Sequence, residues 1–174
     1  MQLARLLVVS LAFAASPAAA TTITYSLTMD GAQEVPGAGD PDGSATGTLT
    51  IDDSTGGVGT ISWSFTYANI ATPLSAMHIH GPAAPPGTAA GVFVGLGVAT
   101  SGGAGTLISS VVTTMANAAA INANPGNFYV NIHNGPFPNG AVRGQLGTIV
   151  PEPPTVALLL LSLLDLARAG RRRS

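Results

Sequence analysis

Three histidines, one arginine and one glutamate carry most of the chemistry open to the middle of this 174-residue chain. His78 and His80 stand two apart in the segment Ala76 to His80. At the period of a β-strand their side chains leave one face, while Met77 and Ile79 take the other. His133 ends the segment Phe128-Tyr-Val-Asn-Ile-His133, in which Phe128, Val130 and Ile132 form an apolar face and Tyr129, Asn131 and His133 a polar one. If the two strands are neighbours, three imidazoles converge, and neutral imidazoles are ligands for zinc or copper. The same residues also admit a structural role, in which they hydrogen-bond nearby loops and each other. No carboxylate is visibly placed to orient them as ligands. Geometry separates the two, because ring nitrogens more than about 6 Å apart cannot share one ion at metal–nitrogen distances near 2 Å.

Arg143 is the only cation between Thr21 and Val150, and the whole chain lacks lysine. A secluded guanidinium is expected to be held by a carboxylate or by backbone carbonyls. Glu34, in Gln33-Glu34-Val35-Pro36, is the expected partner in such an ion pair. The alternative is an anion-binding or electrophilic role beside the histidines. No catalytic constellation emerges elsewhere. There is no cysteine, which removes thiolate zinc sites, a thiol nucleophile and lipid attachment through cysteine. There is no Gly-x-Ser-x-Gly elbow. The glycine-rich stretch from Gly91 to Gly105 lacks the Lys-Ser/Thr ending of a phosphate loop. Asp30 and Glu34 are close in sequence, but nothing pairs them as glycosidase carboxylates.

The elements that must position these residues read as all-β. Ile61, Trp63, Phe65 and Tyr67 alternate with Ser62, Ser64 and Thr66, and Tyr25, Leu27 and Met29 alternate with Ser26 and Thr28. Both are strands with one buried face. Further strands are expected at 46–51, 76–80, 91–98, 106–112, 127–133 and 141–146, separated by glycine and proline clusters. The loop 31–43 should be irregular. Thr114 to Asn122 is alanine-rich without alternation and predicts one short helix, stopped by Asn124-Pro125-Gly126. Short strands at this spacing argue for a Greek-key barrel or a sandwich.

Both ends read as processing segments around a domain spanning 21–149. Residues 1–20 combine Arg5, an apolar stretch and Ala18-Ala19-Ala20, the pattern of a signal peptide cleaved after Ala20 by a signal peptidase. Residues 150–174 hold Pro151-Glu152-Pro153, an apolar run from Val156 to Leu164, and Arg171, Arg172 and Arg173. The run is short against the roughly 20 residues of a spanning helix, and the basic end would stay on the cytoplasmic side. Between these ends, six acids against one arginine leave a net charge of −5 with neutral histidines. Such a surface repels nucleic acid and anionic lipid headgroups. An exported domain without cysteines relies on packing alone.

The tail resembles the PEP-CTERM sorting signal of exopolysaccharide-producing Gram-negative bacteria. That resemblance implies transient membrane insertion, recognition by an exosortase that cuts near the motif, and a mature protein at the cell surface or outside the cell. Gln33-Glu34-Val35-Pro36, His78-Ile79-His80-Gly81-Pro82, Tyr129-Val-Asn-Ile-His133 and Pro138-Asn-Gly-Ala-Val-Arg143-Gly144-Gln145-Leu146 resemble the motifs of the CHRD domain, in the same order. Two departures stand out: Ala141-Val142 replaces the usual Glu-Ile, and Asn134 the usual Thr. The resemblance implies an immunoglobulin-like barrel or sandwich and no general catalytic activity. It is compatible with a non-catalytic role in an extracellular polysaccharide matrix or with recognition of a protein partner. CHRD domains are also faintly similar to copper/zinc superoxide dismutases, which would place His78, His80 and His133 at copper-ligand positions. No fourth, bridging histidine exists here, and fold similarity alone does not transfer function.

Overall fold

A computed structural model describes residues 21–54, 57–97 and 103–149. The strands are β1 (Thr22–Asp30), β2 (Ser44–Asp52), β3 (Val58–Ala68), β4 (Leu74–His80), β5 (Val92–Gly95), β6 (Gly105–Thr114), β7 (Tyr129–Asn134), β8 (Val142–Gln145) and β9 (Thr148–Ile149). One helix, α1 (Met115–Ala123), lies between β6 and β7. The strands form one sheet in the order β5-β4-β7-β8-β1-β2-β3-β6, with β9 added to β1, and every pairing is antiparallel. The result is an all-β, nearly closed, barrel-like sheet rather than two separately bonded layers.

The inner face follows the period-two reading. Ile61, Trp63, Phe65 and Tyr67 point into one core with Tyr25, Leu27, Met29, Leu49, Met77, Ile79, Val130 and Ile132. The expected helix is present, one residue later than its sequence limits. The Thr114 hydroxyl caps it by accepting from the Asn117 amide at 3.1 Å, and Asn124 ends it. Its buried residues, Ala118 and Ile121, close the core. Gly59 permits this contact, since a Cβ there would lie 2.6 Å from the Ala118 methyl.

Chain order and sheet order diverge where it matters for the site. β3 and β4 are consecutive in the chain but lie far apart in the sheet. That crossover sets the His78/His80 strand directly beside β7, which pairs with β8 on its other edge. β7 is buried at all six positions, on both faces. A strand with one wetted face would alternate. Here loops 81–91 and 135–140 cover the outer face and create a second, polar layer outside the barrel.

Among the described residues no helix is long and apolar enough to cross a membrane. The proposed cleavage position Ala20 and the tail residues Pro151, Glu152, Pro153, Arg171, Arg172 and Arg173 lie outside the described residues.

Ile132 sits under the histidine-bearing face and is fully buried. Ile132→Ala should therefore cost about 2–5 kcal/mol in equilibrium urea unfolding. Ile108→Ala on β6, where the side chain is 72 % exposed, should stay within about 0.5 kcal/mol.

Candidate metal centre

Antiparallel register builds the outer polar layer in rows. His80 lies opposite Tyr129, which lies opposite Gln145. His78 lies opposite Asn131, which lies opposite Arg143, which lies opposite Asp30. His133 pairs with Ala76, so its ring leans toward the two β4 histidines. The ring centroids of His78 and His133 are 4.9 Å apart, those of His78 and His80 5.6 Å, and those of His80 and His133 5.8 Å. One nitrogen from each ring lies within 4.8 Å of the other two. This meets the distance criterion for sharing one ion.

Backbone carbonyls define which nitrogens are free. His80 Nδ1 lies 2.9 Å from the Ala90 carbonyl, and His133 Nδ1 lies 3.0 Å from the Pro138 carbonyl. A carbonyl oxygen only accepts, so both Nδ1 atoms carry hydrogen and both Nε2 atoms present lone pairs. His78 Nδ1 lies 3.1 Å from His133 Nε2 and donates to it in the neutral state. His80 Nε2 is buried with no hydrogen-bond partner. A buried nitrogen lone pair without a donor is a costly arrangement in a closed structure, and a metal ion would satisfy it.

The surroundings of all three imidazoles favour the neutral form. Burial lowers the pKa of His78, and the neighbouring His133 and His80 lower it further. Burial lowers that of His80 against the bond to Ala90, with His133 and Arg143 adding to the lowering. Burial outweighs the Pro138 bond at His133. Neutral imidazole is the ligating form, and hydrogen bonds from the far ring nitrogens to carbonyls are the usual means of orienting histidine ligands. The sequence shows no such supporting groups because they are main-chain carbonyls of loops.

Arg143 organises one of those loops. It is 1 % exposed. Its guanidinium donates to the Thr88 carbonyl at 2.9 Å, the Pro85 carbonyl at 3.4 Å and Gln145 Oε1 at 2.9 Å. It also lies 3.5 Å over the Tyr129 ring, against which His80 stacks at 4.8 Å. The expected direct ion pair with Glu34 is not formed. The guanidinium runs toward β7 and loop 81–91, where carbonyls and an aromatic face use its donors. The Glu34 carboxylate instead accepts from Asn131 Nδ2 at 3.0 Å. Arg143 and Glu34 interact through space only, each favouring the other's charge.

Tyr129, Asn131 and Gln145 belong to this layer and were not singled out from the sequence. Gln145 Nε2 reaches the carbonyls of Ala84, Gly126 and Phe128 at 2.8–2.9 Å. The Tyr129 hydroxyl lies 3.3 Å from the Ala90 nitrogen. The alternation in β7 already placed Tyr129 and Asn131 beside His133, and that was the available signal. Loops 34–38 and 136–140 enclose a cleft of about 150 Å³ that the histidines do not line.

Burial raises the Glu34 pKa to about 7, against the opposing pull of Arg143 and Asn131. A carboxyl raised in the folded state contributes stability below its unfolded pKa near 4.5 and loses it as pH rises through about 7. Glu34→Gln mimics the protonated form. Its stability relative to the native chain should rise between pH 5 and 8, by an amount on the order of 2–3 kcal/mol, in urea titrations at stepped pH.

Residues 25–146 match the family model described as the CHRD domain. No curated protein and no solved structure matches the chain.

Proposed function

The chain belongs to the CHRD-domain family, and from that premise we propose that it is an exported, non-enzymatic domain that binds one copper or zinc ion through His78, His80 and His133. The observation that carries this reading is the buried, partnerless Nε2 of His80 beside a His78–His133 pair 3.1 Å apart, where an ion would replace the hydrogen now shared by the pair and leave the His78 proton on Nε2. In a tetrahedral site ligand nitrogens stand about 3.3 Å apart. The remaining spacings, within 4.8 Å, need only small ring rotations. Three nitrogen ligands leave a fourth position for water or for an external group. When bound, the ion would supply Lewis acidity or redox capacity there. The chain's own contribution is to favour neutral imidazoles, fix the tautomers of His80 and His133 through Ala90 and Pro138, and join β4 to β7. Among the described residues no second group of three ligand-type side chains lies close together. That argues against a two-metal, dismutase-type centre.

The ends fit export. The signal-like pattern of residues 1–20 calls for cleavage by a signal peptidase after Ala20. The Pro151-Glu152-Pro153 motif with Arg171–Arg173 calls for a transient membrane tether and exosortase processing. The domain at 21–149 would then act at the cell surface or in the extracellular polysaccharide matrix. Its acidity and its lack of cysteine suit that setting.

Titration of the purified chain starting at Thr21 with Cu(II) and Zn(II), followed by calorimetry and elemental analysis, should give one equivalent at submicromolar affinity. His78→Ala and His133→Ala should each weaken binding about 100-fold or more. At a hundredfold excess over Kd the ion should stabilise the native chain by about 2.7 kcal/mol. Absence of uptake at micromolar metal would rule the reading out.

A further inference from the structure

Asp53 is a buried carboxylate in a domain whose single cation, Arg143, is committed elsewhere. Its side-chain partners come from two places. The backbone N–H of Thr21 donates to Oδ1, and the Thr21 hydroxyl lies 3.4 Å from both carboxylate oxygens. Asn122 Nδ2, on α1, donates to Oδ2 at 3.4 Å. The Asp53 amide returns a bond to the Thr21 carbonyl at 3.0 Å, which continues the β1–β2 pairing one residue beyond Thr22 and Asp52. Asn122 Oδ1 accepts from the Tyr25 hydroxyl at 3.1 Å, and Nδ2 also reaches the Ile51 carbonyl at 3.5 Å. Burial, with the Asp53 charge adding to it, pushes the Tyr25 hydroxyl up to about 12.

Every donor in this arrangement is neutral. A buried carboxylate is normally paired with a cation, and here the donor nearest to it is the backbone nitrogen of Thr21. Thr21 is also the residue that follows the cleavage position read from Ala18-Ala19-Ala20. We propose that Asp53 and Asn122 form a preformed socket for the α-ammonium group released at Thr21 when a signal peptidase removes residues 1–20. The proposal rests on the export reading. Hydrolysis of the Ala20–Thr21 amide breaks its C–N bond. The oxygen of the attacking water ends in the Ala20 carboxylate and both its hydrogens on the Thr21 nitrogen. An amide N–H thus becomes an –NH₃⁺ at the same atom, and a neutral hydrogen bond becomes a charge-assisted one. Processing then completes the electrostatics of a joint that ties β1, β2 and α1 together.

The absence of lysine makes the test specific, because the Thr21 α-amine is the only primary amine in a chain that starts there. Two chains are compared, one from Thr21 to Ser174 and one retaining Ala20 before it, each also as Asp53→Asn. The chain with a free Thr21 should melt about 3–6 °C higher than the extended one. It should react with an amine-directed acylating reagent about tenfold more slowly at pH 8, where a salt-bridged α-amine stays protonated. Asp53→Asn should abolish both differences. If that variant does not fold, the two native-sequence chains carry the comparison alone. N-terminal sequencing of protein exported from the full precursor should begin at Thr21. A different start overturns the cleavage reading together with the proposal. A start at Thr21 with equal melting and equal acylation overturns the proposal alone.

Discussion

Burying one guanidinium on the outside of the sheet constrains everything around it. Arg143 cannot shed its charge at any ordinary pH, so its donors must find oxygen. They find it in the carbonyls of Pro85 and Thr88 and in Gln145, and loop 81–91 is thereby drawn down over β7 and β8. The same loop brings the Ala90 carbonyl to His80. The tautomer of a histidine on β4 therefore depends on a cation on β8, two strands away. Arg143 acts twice on His80, because its positive field also disfavours the imidazolium form. A lysine could satisfy neither the forked geometry nor the flat contact with Tyr129.

The molecule has two interiors of opposite character. Inside the barrel, Tyr25, Leu49, Phe65, Met77 and Val130 form an apolar core. Outside β4, β7 and β8, a thinner layer of His78, His80, Tyr129, Asn131, His133, Arg143 and Gln145 is closed by loops. The first tolerates changes of shape that keep volume. The second has little such latitude, since each polar atom there needs a partner. Among the described residues, Glu34 Oε1, His80 Nε2 and Asn131 Oδ1 are the buried side-chain atoms left without one, and all three belong to the polar layer or its border.

Much of this was legible in the sequence, for physical reasons that can be named. Alternation in Ile61–Tyr67 and in Phe128–His133 reports which face is wet or polar, and those strands and faces are present. The alanine run with its Asn-Pro-Gly stop reports a helix. β6 runs one residue before and two beyond the expected 106–112, because the backbone of Gly105, Thr113 and Thr114 still pairs with β3 where no apolar pattern marks it. The adjacency of β4 and β7 was a supposition, because a crossover of the chain leaves no trace in local periodicity. Glu34 was expected on Arg143 because opposite charges are visible in a sequence and carbonyl groups are not. Every residue carries a carbonyl, so nothing in the residue types shows that Ala90 and Pro138 hold the histidines.

The pairing of β9 with β1 has a mechanical consequence. β9 is two residues long and joins β1 only at Tyr25 and Ser26, while β1 is zipped to β2 over nine residue pairs. A pull applied to the chain beyond Ile149 meets the short ladder first. Those bonds open one after another, as a zipper does, and the load reaches β8 only once β9 has peeled away. The last strand is thus the first part of the sheet to yield to a load from its C-terminal side.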